Sequence, residues 1–254
     1  MTPESRAALI LVIRNQQMEV FRRHASASLQ DELARLLVKH YPSDCRLAGG
    51  EPQIRQLVAA GVAEAKKRGY AGKRDISLWV HLSFMLGVDF DRDPQLPWVA
   101  AQLPDLEELH RSARSYLGTT AGENGEHIVR AMLRMRAYDL GTASVAAGQA
   151  AEAELCNLLQ EFYPQKYAYQ GKPATLEMIR QTTAAAARRG IRSAPGMVTC
   201  TVLAFMLGTG FDRDPLYPWA GRALKDPEPG GEAARVDRLY KDAIQHLNES
   251  LAGH

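Results

Sequence analysis

Long apolar runs, a large net charge of either sign and a cysteine framework are all missing from this sequence. The apolar stretch Ala7–Ile13 is too short to span a bilayer and is not followed by a small-residue cleavage site. The 31 basic and 29 acidic residues nearly cancel, so charge gives no reason to expect a nucleic acid or an anionic membrane as partner. We therefore expect a soluble, cytoplasmic protein without a membrane span.

Recognisable catalytic and metal-binding patterns are also missing. Cys45, Cys156 and Cys200 are odd in number and widely spaced, which supports neither a disulfide framework nor a zinc site. The seven histidines form no HExxH arrangement, and no GxSxG, GxxxxGK or GxGxxG pattern occurs. We predict that the protein is not an enzyme and has no catalytic residue, metal or cofactor.

The sequence does contain one 15-residue motif that occurs twice. FMLGVDFDRDPQLPW runs from Phe84 to Trp98, and FMLGTGFDRDPLYPW runs from Phe205 to Trp219, which is 121 residues later. The two copies of this repeated motif agree at 11 of 15 positions. Further matches upstream, such as Tyr41-Pro42 with Tyr163-Pro164, indicate that a whole unit is duplicated. The predicted organisation is unit 1 at 1–118, a linker at 119–125 and unit 2 at 126–254, which includes a C-terminal helix.

Both units have the apolar spacing of helices, and no alternating run bounded by hairpin turns suggests a sheet. We predict an all-α protein with four to five helices in each unit. The two units would pack about an internal pseudo-twofold axis, and two separate units in tandem are the alternative. The helices predicted after the first 25 residues are Ala27–His40, Glu51–Lys67, Arg74–Leu86, Val145–Phe162, Leu176–Arg189, Ala194–Leu207 and two closing helices, Leu106–Leu117 and Ala233–Leu251.

The repeated motif is predicted to be a helix-turn-helix corner. Gly87 and Gly208 would end one helix, and Asp93-Pro94 would cap and start the next. Its aromatic residues would fill the core. They are Phe84, Phe90 and Trp98 in the first copy and Phe205, Phe211 and Trp219 in the second.

The acids of the motif are better explained by ion pairs than by metal binding. A calcium loop needs more oxygen ligands and a glycine, whereas a proline follows each Asp-Arg-Asp. With Asp93 and Asp214 used as caps, the other acid of each copy is free to bind a cation. We predict the ion pairs Arg14–Asp91 and Arg136–Asp212, because an arginine opens each unit.

The sequence resembles a family of small bacterial proteins that have an IRxxQMxxF start and an FDxDPxxPW finish. IRNQQMEVF at Ile13–Phe21 and the repeated motif carry this resemblance. Arg92 and Arg213 stand where the family has threonine, and the second unit lacks the start. Such proteins are commonly encoded beside type VI secretion effectors, so the resemblance implies an immunity protein that neutralises a toxic effector by stoichiometric contact.

Two other functions remain open, an adaptor that loads the effector onto the secretion apparatus and an enzyme with an unrecognised site. A pocket that gathers His40, His81 and acidic groups would favour the enzyme. For partner binding, positions that differ between the copies are the candidates. They are Val88, Asp89, Gln95 and Leu96, and Thr209, Gly210, Leu216 and Tyr217. The effector's identity and the oligomeric state are not specified by the sequence.

Overall fold

The computed structural model describes residues 26–139, 149–225 and 230–252. Within these segments the chain forms helices and no strands, which confirms the all-α prediction. The helices are α1 (26–40), α2 (Pro42–Leu47), α3 (Glu51–Lys67), α4 (Lys73–Leu86), α5 (Val99–Gln102), α6 (Leu106–Ala121), α7 (Glu126–Ala137), α8 (Gln149–Phe162), α9 (Pro164–Arg188), α10 (Ala194–Leu207), α11 (Pro218–Lys225) and α12 (Gly231–Ala252). The predicted IRxxQMxxF start and Arg14 lie outside the described residues.

The predicted linker is shorter than expected because α6 continues through Ala121. The hydroxyls of Thr119 and Thr120 donate to carbonyls four residues earlier, and Gly122 ends the helix with a φ of 88°. The hydroxyl of Tyr163 also donates to the carbonyl of Thr120 at 3.0 Å, which ties this end of α6 to the second half of the chain. Only residues 122–125 connect α6 to α7.

Helix α9 is two helices joined at a sharp bend. Gly171 has φ 76° and ψ 164°, a conformation outside the helical region that is open essentially to glycine. Gly50, which lies 121 residues earlier, has φ 84° and ψ −165° at the boundary between α2 and α3. The two glycines therefore make the same break, and the predicted start at Leu176 lies within the helix that follows it.

The two closing helices bury the same pattern of residues. On α6 the buried positions include Leu106, Leu109, Ala113 and Thr120, and on α12 they include Val236, Leu239, Ala243 and Ser250. Each residue of the second set lies 130 positions after its counterpart. This match supports the expectation that each unit ends with a closing helix.

The buried apolar side chains form two clusters. The first contains residues between Leu33 and Tyr116, and the second contains residues between Ala131 and Leu247. Leu216 is the exception, because it belongs to the first cluster although it lies in the second half of the chain. Tyr217 packs against both clusters. The repeated motif, which contains both residues, therefore lies where the two clusters meet.

Candidate functional site

The two copies of the repeated motif contact each other directly. In each copy a glycine ends the preceding helix with positive φ, at 91° for Gly87 and 96° for Gly208. The backbones then approach so closely that a Cβ on Gly210 would lie 2.6 Å from the carbonyl oxygen of Val88. Glycine is required at this position by proximity to the other copy.

Two buried aspartates join the copies by exchanging hydrogen bonds. Val88 N donates to Oδ2 of Asp214 at 3.0 Å, and Thr209 N donates to Oδ2 of Asp93 at 2.8 Å. The second oxygen of each carboxylate accepts the backbone N–H two residues later, from Gln95 at 3.0 Å and from Leu216 at 2.9 Å. Each aspartate thus closes its own turn and holds the other copy. An internal pseudo-twofold axis stays a prediction, and this reciprocal exchange supports it.

The predicted helix at Asp93-Pro94 does not form. After Asp93 the chain makes turns, and α5 begins only at Val99. Asp93 has one oxygen in its own turn and the other on Thr209, so neither oxygen is available to cap a helix. The aspartate was correctly predicted to bind backbone N–H groups, but one of these groups, Thr209 N, belongs to the other copy.

Both aspartates form ion pairs with arginines, but the arginine predicted for Asp212 is wrong. Asp212 pairs with Arg189 at the end of α9, while Arg136 lies exposed on α7. Asp91 pairs with Arg68, which follows the last residue of α3. Arg68 and Arg189 lie 121 residues apart, as do the two acids, so both copies use the same pair. Arg68 and Arg189, at the C-terminal ends of α3 and α9, therefore each form an ion pair with an aspartate of the motif. Arg14 lies outside the described residues.

Most of the proposed partner-binding positions lie between the two copies and not on an outer face. Gln95, Leu96 and Leu216 are only 1%, 5% and 8% exposed. The side-chain amide of Gln95 donates to the carbonyl of Ala204 at 2.9 Å, which is a contact with the second half. These three candidate partner-binding side chains are therefore buried, and Gln95 is used in a contact between the two halves.

The remaining variable positions show the same complementarity. Arg213 forms an ion pair with Asp89 at 2.7 Å, whereas the residue equivalent to Asp89 in the second copy is Gly210, opposite Val88. Of the predicted aromatic core, Phe90, Phe205, Phe211 and Trp219 are buried, and Phe84 and Trp98 are half-buried. Four of the six predicted core aromatic residues are therefore buried, although the helix predicted at Asp93-Pro94 does not form.

Beside the contact lies a groove of about 580 Å³ that contains several guanidinium groups. Arg92 and Arg213 from the two motifs and Arg180 from α9 are each more than half exposed. Arg180 forms a bidentate pair with Glu152, and Arg188 is also exposed. Guanidinium groups recognise carboxylates by such paired hydrogen bonds. We call these four residues and the space between them the arginine groove.

Two histidines and a tyrosine form a hydrogen-bonded chain that the sequence did not reveal. Nδ1 of His81 lies 2.8 Å from Nε2 of His110, and the hydroxyl of Tyr41 lies 2.9 Å from Nε2 of His81. Burial, together with positive charge nearby, lowers the pKa of both histidines. His40, which was considered with His81, is exposed. Only the packing of α4 on α6 brings His81 and His110 together.

Comparisons with protein-family models, curated proteins and solved structures find no match to this chain. Among the residues that the structure describes, no group of three or more His, Cys, Asp and Glu side chains could hold a metal ion. The helices of the same segments include none with both the length and the apolar character needed to cross a membrane.

Loss of either arginine of the buried pairs should destabilise the protein. We expect Arg68→Ala and Arg189→Ala each to lower the free energy of unfolding by about 3 kcal/mol, because a buried aspartate then loses its closest cation and keeps only a more distant, exposed guanidinium. Arg111→Ala is the control, since its guanidinium is mostly exposed and pairs with Glu108 on the same helix, so it should contribute at most about 1 kcal/mol. Urea denaturation measures all three, and equal losses would contradict the assignment.

The close approach at Gly210 gives a second test. We expect Gly210→Ala to cost about 1–3 kcal/mol, because the added methyl group would clash with Val88. Gly118→Ala is the control, since Gly118 lies in α6 with nothing within 4 Å of its Cβ position, and it should be neutral or stabilising by up to about 1 kcal/mol. Thermal unfolding compares them. Similar effects from both changes would show that the approach does not matter.

Asp214 should make stability depend on pH. Burial raises its pKa to about 6, against the hydrogen bonds from Leu216 and Val88. Its contribution is therefore complete below about pH 4, the unfolded pKa, and is lost as pH rises through about 6. Relative to Asp214→Asn, the parent protein should lose about 3 kcal/mol between pH 4 and 7.

Denaturant unfolding at both pH values measures this difference. Asp237→Asn is the matched control, because Asp237 is exposed and pairs with Lys241 on the same helix. A pH dependence in Asp214→Asn that equals that of the parent protein would show that Asp214 does not bind its proton more tightly in the folded state.

Proposed function

We propose that this protein is an immunity protein, which binds and neutralises a cognate type VI secretion effector of the same bacterium in the cytoplasm. The resemblance of Ile13–Phe21 and of the repeated motif to proteins encoded beside such effectors supports this role. Neutralisation by stoichiometric contact needs a rigid surface and no catalytic group. The proposal concerns the effector as partner and involves no nucleic acid and no cofactor.

The proposal rests on the contacts that the aspartates of the repeated motif make. Asp93 and Asp214 bind the opposite copy, and Asp91 and Asp212 bind the arginines at the ends of α3 and α9. The residues that resemble the family therefore build the scaffold. This division supports a binding protein, in which a common framework carries a surface that differs from one member to another.

The arginine groove is the face that we assign to the effector. Arg92 and Arg213 occupy the motif position where the family has threonine, and both guanidinium groups are exposed. They lie beside Arg188, for which the described residues provide no carboxylate within 4 Å. An acidic patch on the effector would complement this groove. A few such anchors at the centre of an interface of about 800 Å² per partner can supply most of the affinity.

Co-expression with the neighbouring effector gene tests the proposal. We expect the protein to restore growth and to co-purify with the effector at about 150 mM salt, where exposed charges are largely screened. Binding without restored growth would favour an adaptor that delivers the effector. Absence of both would contradict a direct role for this protein with that effector.

Charge reversal then locates the face. We expect Arg188→Glu and Arg92→Glu to weaken the complex roughly 30-fold or more, the effect of losing a central anchor. Arg111→Glu is the control, because Arg111 is equally exposed but lies on α6 outside the groove. Binding measured by calorimetry should be unchanged in the control. Equal weakening by all three changes would show that only the total charge matters.

A further inference from the structure

A cavity of about 310 Å³ lies between the two halves of the chain, and residues of both copies of the repeated motif line it. Helices from both halves contribute to its walls, and the apolar lining includes Leu86, Met135, Leu203, Leu207 and Leu247. Asp44, which is exposed, lies at its edge, so the cavity reaches the surface there. We call it the central cavity. Its volume is at the lower end of the range for sites that hold small molecules.

A buried lysine lines this cavity without a carboxylate beside it. Lys166 is 7% exposed, and its ammonium donates to the carbonyl of Phe205 and lies 5.3 Å from the centre of the Phe205 ring. No carboxylate among the described residues is within 4 Å of it, so at least two of its three N–H donors have no anionic partner there. Burial of a cation without a paired anion is costly.

The fold does not require a lysine at this position. The Tyr-Pro pairs at 41 and 163 align the copies 122 residues apart, and Gly50 aligns with Gly171 at 121, so the residue opposite Lys166 is Asp44 or Cys45. Asp44 is exposed and Cys45 is a buried thiol, whereas Lys166 is a buried cation. One copy therefore builds the same corner without a buried cation. Lys166 therefore differs from the equivalent residue of the first copy, and the stability of the fold alone does not explain this difference.

Two further polar atoms in the cavity wall have no partner. Oε1 of Gln95 and Nε1 of Trp219 are both buried and form no hydrogen bond with the described residues. The amide of Gln95 donates to the carbonyl of Ala204, the residue before Phe205, so it lies close to the ammonium of Lys166. Such atoms usually have a partner, which is either water or a ligand.

Asp93 also lines the cavity, but its acceptor capacity is largely used. Its carboxylate accepts the backbone N–H groups of Gln95 and Thr209 and lies 3.3 Å from Nε2 of Gln95. Asp93 therefore offers little to a donor on a ligand. Burial lowers the pKa of Lys166 to about 8, while the charge on Asp93 opposes this shift, so the lysine remains largely protonated at neutral pH.

We propose that the central cavity binds a small carboxylate with an apolar body, whose carboxylate is held by Lys166 and whose body lies against the apolar walls. This site is independent of the proposed immunity function, because the arginine groove lies elsewhere. A carboxylate would supply an anion within hydrogen-bonding distance of Lys166, which the described carboxylates do not provide. A donor on the ligand or a bound water would satisfy Gln95.

The test uses sodium butanoate, hexanoate and octanoate with the full-length protein, measured by titration calorimetry at neutral pH. We expect affinity to increase roughly fourfold for each added methylene until the cavity is filled. Hexanol is the neutral control, and it should bind roughly 10- to 100-fold more weakly than hexanoate because it lacks the charge. Equal binding of hexanol and hexanoate, or no binding of any alkanoate tighter than about 1 mM, would overturn the proposal.

Lys166→Met keeps the length of the side chain and removes its charge, so the variant should fold. We expect it to lose the preference for hexanoate over hexanol. Lys172→Met is the matched control, because Lys172 lies exposed on the same helix α9 and should keep the full preference. An unchanged preference in Lys166→Met would show that the carboxylate is held elsewhere. If that variant does not fold, the comparison of alcohol with carboxylate in the parent protein still decides.

Discussion

The exchange of hydrogen bonds between two buried carboxylates and two backbone amides is the interaction on which this structure depends. Asp93 and Asp214 each accept one N–H from their own turn and one from the opposite copy of the motif. Hydrogen bonds to a charged acceptor are stronger than neutral ones, and these are sheltered from water. These bonds form only when the two carboxylates and the two backbone N–H groups are correctly placed. The glycines, the aromatic side chains and the arginine pairs around them help to hold them in place.

The contact between the two copies of the repeated motif is complementary and not identical on its two sides. Asp89 has an arginine opposite it, whereas the equivalent Gly210 allows Val88 to approach. A surface that meets its own copy can improve its fit by changing one copy at a time. The same freedom allows Lys166 to differ from the equivalent residue of the first copy, Asp44 or Cys45, which places a cation inside one half only.

The sequence predicted the helices well and the contacts between them poorly. Glu51–Lys67 and Ala194–Leu207 were predicted to the residue, because glycine and proline mark their ends. The partner of Asp212 was not predictable, since many arginines are available and only the fold brings Arg189 to it. The positions of Gln95 and Leu216 were misjudged for a physical reason. Variation between copies resembles surface variation in a sequence, although here it arises at a buried contact.

Leu216 lies in the apolar cluster of the first half although it is part of the second half of the chain. The core of the first half therefore includes a side chain of the second half. Leu216 lies more than 90 residues after Gly122, the residue that follows the last helix of the first half. The first half does not close its own core without Leu216, so we expect the two halves to unfold in one cooperative step. Cleavage by a protease between residues 122 and 125 would leave two fragments. These fragments would remain bound to each other through the contact between the two copies of the repeated motif.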